Sequence, residues 1–89
     1  MSLLTDTQKG DLRVAVLDEL VAAQSVAFNA ETIVRRVKRA QVIDFPFTLQ
    51  EAEHELAQLV KLGLAAVVPD AVTRAPHYQA TPKGIVARS

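Results

Sequence analysis

A chain of 89 residues, 49% of them hydrophobic, is long enough for one domain with a small aliphatic core and too apolar for a disordered segment. The lack of cysteine in the sequence excludes disulfide frameworks, thiol catalysis and cysteine-based zinc sites, and it is typical of proteins in a reducing cytoplasm. Ten basic and ten acidic residues give no net charge, so affinity for nucleic acid would have to come from local basic patches.

The first predicted helix covers about residues 7–24. Leu12, Val16 and Leu20 recur at helical spacing and give this helix an apolar face. Gly10 lies near its start, so we expect an irregular first turn. The residues before it lack the pattern of a signal peptide, and no apolar run is long enough to cross a membrane. We therefore expect neither a signal peptide nor a membrane span.

A second helix is predicted over about residues 30–40. Asn29 is a favoured N-cap, and Phe28 and Ile33 occupy the two positions of a hydrophobic staple. The second half of this helix contains the run RRVKR, whose four cations are Arg35, Arg36, Lys38 and Arg39. These cations suit a phosphate backbone. Cations near a helix C-terminus also complement the helix dipole, so a purely structural role is the alternative.

The segment QVIDFPF, residues 41–47, connects the second and third predicted helices. Pro46 disfavours helical geometry at Phe45, so we expect the chain to turn there. We expect Val42 to add a short strand, and Phe45 and Phe47 to close the core beneath the turn.

A third helix is predicted over about residues 49–62. Thr48 and Glu51 form the pattern of a capping box, and Gly63 is a typical residue just after a helix end. The helical period places the apolar residues on one side and the polar residues opposite them. The predicted apolar face comprises Leu49, Ala52, Leu56, Leu59, Val60 and Gly63. The predicted polar face comprises Gln50, Glu51, His54, Gln58 and Lys61.

Two short apolar runs follow and predict a β-hairpin over about residues 64–81. Pro69 ends the first run and Pro76 precedes the second, at positions where strand pairing can stop. The polar turn DAVTRA joins the two strands and places Arg74 near the tip of the hairpin. The run TPKG, which begins at Thr81, then predicts the start of a short last helix.

This order of elements resembles the winged-helix branch of the helix-turn-helix superfamily. The ending LAQLVKLGLAAVV resembles, with shifted leucine spacing, the Leu-x-x-Leu-x-x-x-Gly-Leu run of bacterial regulators of the MarR and PadR type. The segment HYQATPKGI resembles their Tyr-x-Leu-Thr-x-x-Gly-like wing strand, with Ala80 in place of leucine. The resemblance covers about four fifths of residues 1–89 and implies one mainly helical domain with a small antiparallel hairpin. One departure is the link between helices 2 and 3, which is longer than the roughly three or four residues of a tight helix-turn-helix.

In DNA-binding members of the superfamily, the exposed face of helix 3 enters the major groove. The resemblance therefore implies DNA contacts from helix 2, helix 3 and the wing. These residues are Arg35, Arg36, Lys38, Arg39, Thr48, Gln50, His54, Gln58, Lys61, Arg74 and Lys83. The acids Glu51, Glu53 and Glu55 weigh against DNA contact, because they would repel phosphates. The alternative is that this face of helix 3 is simply solvated and that Glu51 serves only as a cap. Tyr78, on the second strand of the hairpin, is expected to pack against helix 3.

The sequence predicts neither an enzyme nor a cofactor. His54 and His77 belong to no catalytic or metal-binding motif, and there is no glycine-rich phosphate loop. The first hypothesis is a small DNA-binding protein of bacterial or phage-like type. It would regulate transcription or assist another factor, and it would bind double-stranded DNA. It would act as a homodimer, with helix 1 and the tail as the dimer surface, or together with a protein partner. The second hypothesis is a winged-helix protein-interaction module that makes no direct DNA contact.

Overall fold

A computed structural model describes residues 3–24, 26–69, 72 and 74–88 of the chain. Within these ranges the protein is mainly helical and has one small antiparallel sheet, as predicted. The elements, in chain order, are α1 (Asp6–Ala22), α2 (Ala30–Ala40), α3 (Leu49–Lys61), β1 (Ala65–Pro69), β2 (Pro76–Ala80) and α4 (Pro82–Arg88). No helix in the described ranges is both long and apolar enough to cross a membrane.

The three longer helices each begin at a side chain that accepts a hydrogen bond from the first turn. Asn29 accepts one from the Thr32 amide at 2.8 Å, and Thr48 accepts one from the Glu51 amide at 3.1 Å, so both predicted N-caps are confirmed. Sequence reasoning missed a third cap, in which Thr5 and Gln8 form a capping box. Because this box fixes the first turn, α1 starts one residue before its predicted start, and the irregularity expected at Gly10 does not occur.

The core lies between the three longer helices and consists almost entirely of aliphatic side chains. Its large, fully buried hydrophobic members are Leu12, Val16, Leu20, Ile33, Val37, Leu56 and Leu59. Burial of each such side chain contributes about 1.5–3 kcal/mol relative to exposure. Phe47 is also buried and Phe45 is half-buried, which confirms that both aromatic rings pack beneath the turn.

The predicted short strand at Val42 is wrong. The chain leaves α2 through Gln41, whose left-handed φ of 55° redirects the backbone. Val42 is 65% exposed, and residues 42–44 form no strand ladder. The neighbouring Ile43 packs against the core instead, so the connection is anchored by side chains and not by strand pairing.

The hairpin pairs β1 with β2 in an antiparallel register, with Ala65 opposite Ala80 and Pro69 opposite Pro76. A second contact holds β2 from its other side. The amide of Phe28 donates to the Tyr78 carbonyl at 2.9 Å, and the amide of Tyr78 donates to the Phe28 carbonyl at 2.7 Å. This bridge was not predicted, and it ties the hairpin to the segment between α1 and α2.

The joint between α3 and the hairpin is held by hydrogen bonds to the last helical carbonyls. Gly63 adopts a φ of 77° and donates to Val60, while the Leu64 amide donates to the Leu59 carbonyl at 2.9 Å. These two bonds form a Schellman motif, which confirms the predicted helix end at Gly63. The same geometry puts Gly63 at the surface and not on the apolar face assigned to it. Leu49, also assigned to that face, is 38% exposed because it lies at the edge of the first turn.

The last helix, α4, packs back against α1. Arg88 donates to the Asp18 carboxylate through Nε at 2.6 Å and through a terminal nitrogen at 3.1 Å. These hydrogen bonds, together with the charge of Asp18, raise the pKa of the Arg88 guanidinium above its usual value. At Gly84 the α4 backbone lies so close to the Leu64 carbonyl that an added Cβ would overlap it. The seven-residue α4 therefore depends on a glycine that also limits its helical propensity.

Candidate nucleic-acid interface

The solvent-facing side of α3 presents one polar stripe. Gln50, His54 and Lys61 are all exposed, as predicted, and they recur at the spacing of one helical face. Sequence reasoning missed Ala57, which is exposed in the middle of the same stripe. Its small side chain leaves room for close approach of another molecule to the helix. Gln58 lies at the edge of the stripe and is half-buried.

Glu55 does not lie on the exposed side of α3, contrary to the expectation that its charge would face phosphates. The residue is 1% exposed, and its carboxylate accepts a hydrogen bond from Arg13 Nε of α1 at 2.9 Å. The helical period could have predicted this burial. Glu55 follows the buried Ala52 by three residues and precedes the buried Leu59 by four, so all three lie on the same face of α3. The burial of Glu55 thus removes one negative charge from the candidate interface.

Glu51 is engaged at the start of α3. Its carboxylate accepts hydrogen bonds from the Thr48 amide at 2.9 Å and from the Thr48 hydroxyl at 3.2 Å. Thr48 is a predicted DNA contact, and the residue is exposed. Its hydroxyl, however, is already engaged in the capping box of α3. Of the three acids expected to repel phosphates, Glu53 alone has an exposed side chain, and it lies at the side of the polar stripe.

Of the four cations at the basic end of α2, three are exposed and one is half-buried against residues outside α2. Arg35, Lys38 and Arg39 are exposed. Arg36, also a predicted DNA contact, is half-buried. Its Nε lies 3.3 Å from Glu19 Oε2, and its guanidinium lies 4.7 Å from the centre of the Phe28 ring. This ion pair and cation–π contact stabilise packing against α1, which leaves Arg36 less able to reach DNA.

The α2 and α3 candidates meet at the start of α3. The ammonium of Lys38 lies 5.4 Å from the centre of the Phe47 ring, and Phe47 directly precedes the α3 cap. At the other end of α3, the Lys83 ammonium donates to the Leu62 carbonyl at 3.0 Å. Lys83 is exposed, but it acts here as a cap for α3. The two ends of α3 thus adjoin the basic end of α2 and the base of the hairpin.

The predicted wing tip is only partly described. Asp70, Ala71 and Thr73 lie outside the described residues. Arg74 is exposed and adopts a left-handed φ of 59°. His77 is half-buried, and its Nδ1 lies 3.0 Å from the Ala75 carbonyl. Tyr78 is half-buried against the core, beside Phe28.

The described part of the chain holds no group of three or more histidine, aspartate or glutamate residues placed to bind a metal ion. Comparison with known proteins adds no relative, since the chain matches no family model, no curated protein and no solved structure.

Proposed function

We propose that the protein is a small winged-helix DNA-binding protein of bacterial or phage-like type that acts in the cytoplasm as a transcriptional regulator or a DNA-binding accessory factor. The carrying observation is the burial of Glu55 against Arg13, which takes a carboxylate away from the side of α3 that would enter the major groove. The remaining stripe of Gln50, His54 and Lys61 is polar and carries no acid within it. Side chains of this kind contact base edges and phosphates.

The cations available for phosphate contacts are fewer than the sequence implied. The cations that are exposed and form no ion pair with another described residue are Arg35, Lys38, Arg39, Lys61, Arg74 and Lys83. Of these, Lys83 already donates to the Leu62 carbonyl, which leaves five for phosphate contacts. Three to five phosphate contacts correspond to a slope of about −3 to −4.5 in a plot of log K against log salt. A single copy would therefore bind weakly at physiological salt, and useful affinity would require a homodimer or a protein partner.

The proposal is tested by fluorescence anisotropy with a random-sequence duplex, titrated with protein at several salt concentrations. We expect binding at low salt with the slope given above. The double change Arg35→Gln and Arg39→Gln should flatten the slope by about 1.8, because two phosphate contacts are lost. Lys9→Gln is the control, since Lys9 on α1 belongs to none of the proposed contact elements. Lack of binding at low salt would contradict the proposal.

A protein-interaction module without DNA contact is the second candidate. The observation that favours it is an apolar groove between α1 and the α2–α3 connection, described below. In the same titration, this function predicts no low-salt binding to the duplex. Within one copy, the proposed homodimer surface on α1 and the tail already contains one contact, the ion pair of Arg88 with Asp18.

A further inference from the structure

Two adjoining clefts lie along the connection from α2 to α3. The smaller lies between this connection and α1, and the larger between this connection, the residues at and before the start of α1, and the first turn of α3. One has a volume of about 340 Å³ and reaches the cap of α3, and the other has a volume of about 240 Å³. Phe45 lines both clefts, so the two clefts adjoin at this ring, and together they are called the groove. The α1 wall runs from Gln8 to Asp18, a rise of about 15 Å. That length matches about ten residues of a second helix laid along it.

The groove is apolar at its floor and keeps aliphatic side chains exposed at its rim. Ala15 is buried at the floor, with Phe45 half-buried beside it. Val14 is 44% exposed and Val42 is 65% exposed, and both line the smaller cleft. Single exposed valines are ordinary on protein surfaces. Two exposed valines on facing walls of one cleft, however, allow aliphatic side chains of a partner to bury apolar surface against them.

The charge of the groove selects the kind of partner. Asp11, Asp18 and Asp44 line the smaller cleft, and neither cleft has a lysine or arginine in its lining. Asp18 is already bound by Arg88. Asp11 and Asp44 form no ion pair with another residue that the structure describes. A partner that seats aliphatic side chains here would therefore gain further attraction from flanking lysines or arginines.

We infer that this groove binds a cationic amphipathic helix of a partner protein. Aliphatic side chains at i, i+4 and i+7 of that helix would pack on Phe45, Val14 and Val42, with basic residues facing Asp11 and Asp44. The lining includes none of the exposed cations proposed to contact phosphates. Helix binding therefore does not depend on the DNA-binding proposal, and either can fail without the other.

The test uses an end-blocked, alanine-based helical peptide of about fifteen residues, with leucines at i, i+4 and i+7 and lysines on both flanks. A second peptide carries glutamates in place of the lysines. Binding is followed by amide chemical shifts of the ¹⁵N-labelled protein. We expect the lysine peptide to shift amides of residues 8–18 and 42–47, and to bind about five- to tenfold more tightly than the glutamate peptide.

Variants separate the apolar contribution from the electrostatic one. Val42→Ser should weaken both peptides, because it removes an exposed anchor without disturbing the core. Asp11→Asn with Asp44→Asn should weaken the lysine peptide alone and remove the difference between the two. Glu53→Gln is the control, since this exposed acid of α3 lines neither cleft.

Three outcomes would overturn the inference. The first is equal affinity for the two peptides, and the second is a set of shifts confined to other surfaces. The third is sedimentation-velocity evidence that the groove binds a second copy of the chain, seen as self-association that Val42→Ser abolishes.

Discussion

The partly buried ion pair between Arg13 and Glu55 allows a quantitative prediction about stability. The Glu55 side chain is 2% exposed, whereas the Arg13 side chain is 36% exposed. The two partners are therefore not equivalent. Arg13→Met leaves a buried carboxylate without its partner, whereas Glu55→Met leaves a guanidinium that can turn towards water.

The expected costs follow from this asymmetry. Removal of one partner of a fully buried pair costs about 3–5 kcal/mol, and the partial exposure of Arg13 reduces this to about 2–3 kcal/mol for Arg13→Met. Glu55→Met should cost about 1 kcal/mol, because methionine fills a similar volume and one hydrogen bond is lost. The double methionine variant should cost less than the sum of the two single changes, since no charge is left buried.

The assay is a double-mutant cycle measured by urea unfolding, with thermal unfolding as a second readout. A domain of 89 residues has a free energy of unfolding of about 4–13 kcal/mol, so Arg13→Met should remain measurable and lower Tm by about 8–20 °C. Equal costs for the two single variants, or strictly additive costs in the double variant, would refute the reasoning.

Two further predictions concern the backbone and base recognition. Gly84→Ala should lower the free energy of unfolding in urea by about 2–3 kcal/mol, because the added methyl group would overlap the Leu64 carbonyl. Gly10→Ala, in open space on α1, should raise the free energy of unfolding by about 0.5–1 kcal/mol. An equal effect at both glycines would contradict the close contact. Gln50→Ala should lower the preference for A·T-rich over G·C-rich duplexes by about 1–2 kcal/mol, because the glutamine amide can form two hydrogen bonds with the adenine edge. Unchanged relative affinities would show that Gln50 does not read bases.

The helices and their starts could be predicted because their signals are local. The caps at Asn29 and Thr48 and the stop at Gly63 depend on residues only a few positions away. The hairpin was predictable for the same reason, since only six residues separate the end of β1 at Pro69 from the start of β2 at Pro76.

The features that sequence reasoning missed depend on residues far apart in the chain. Glu55 is paired with a residue 42 positions earlier, and Arg88 with one 70 positions earlier. Arg36 contacts Glu19 and Phe28 only because α2 packs against α1. For this reason the sequence identifies the polar residues of α2 and α3, but it does not reveal which of their charged side chains form ion pairs.

The proposed DNA-binding surface of α2, α3 and the hairpin is tested most directly by amide chemical shifts of the ¹⁵N-labelled protein during titration with a random-sequence duplex at low salt. We predict that the largest shifts fall at Arg35, Arg39, Gln50, Lys61 and Arg74, and that residues 11–18 and 42–45 change little. Shifts confined to residues 11–18 and 42–45, or an unchanged spectrum at low salt, would contradict this surface.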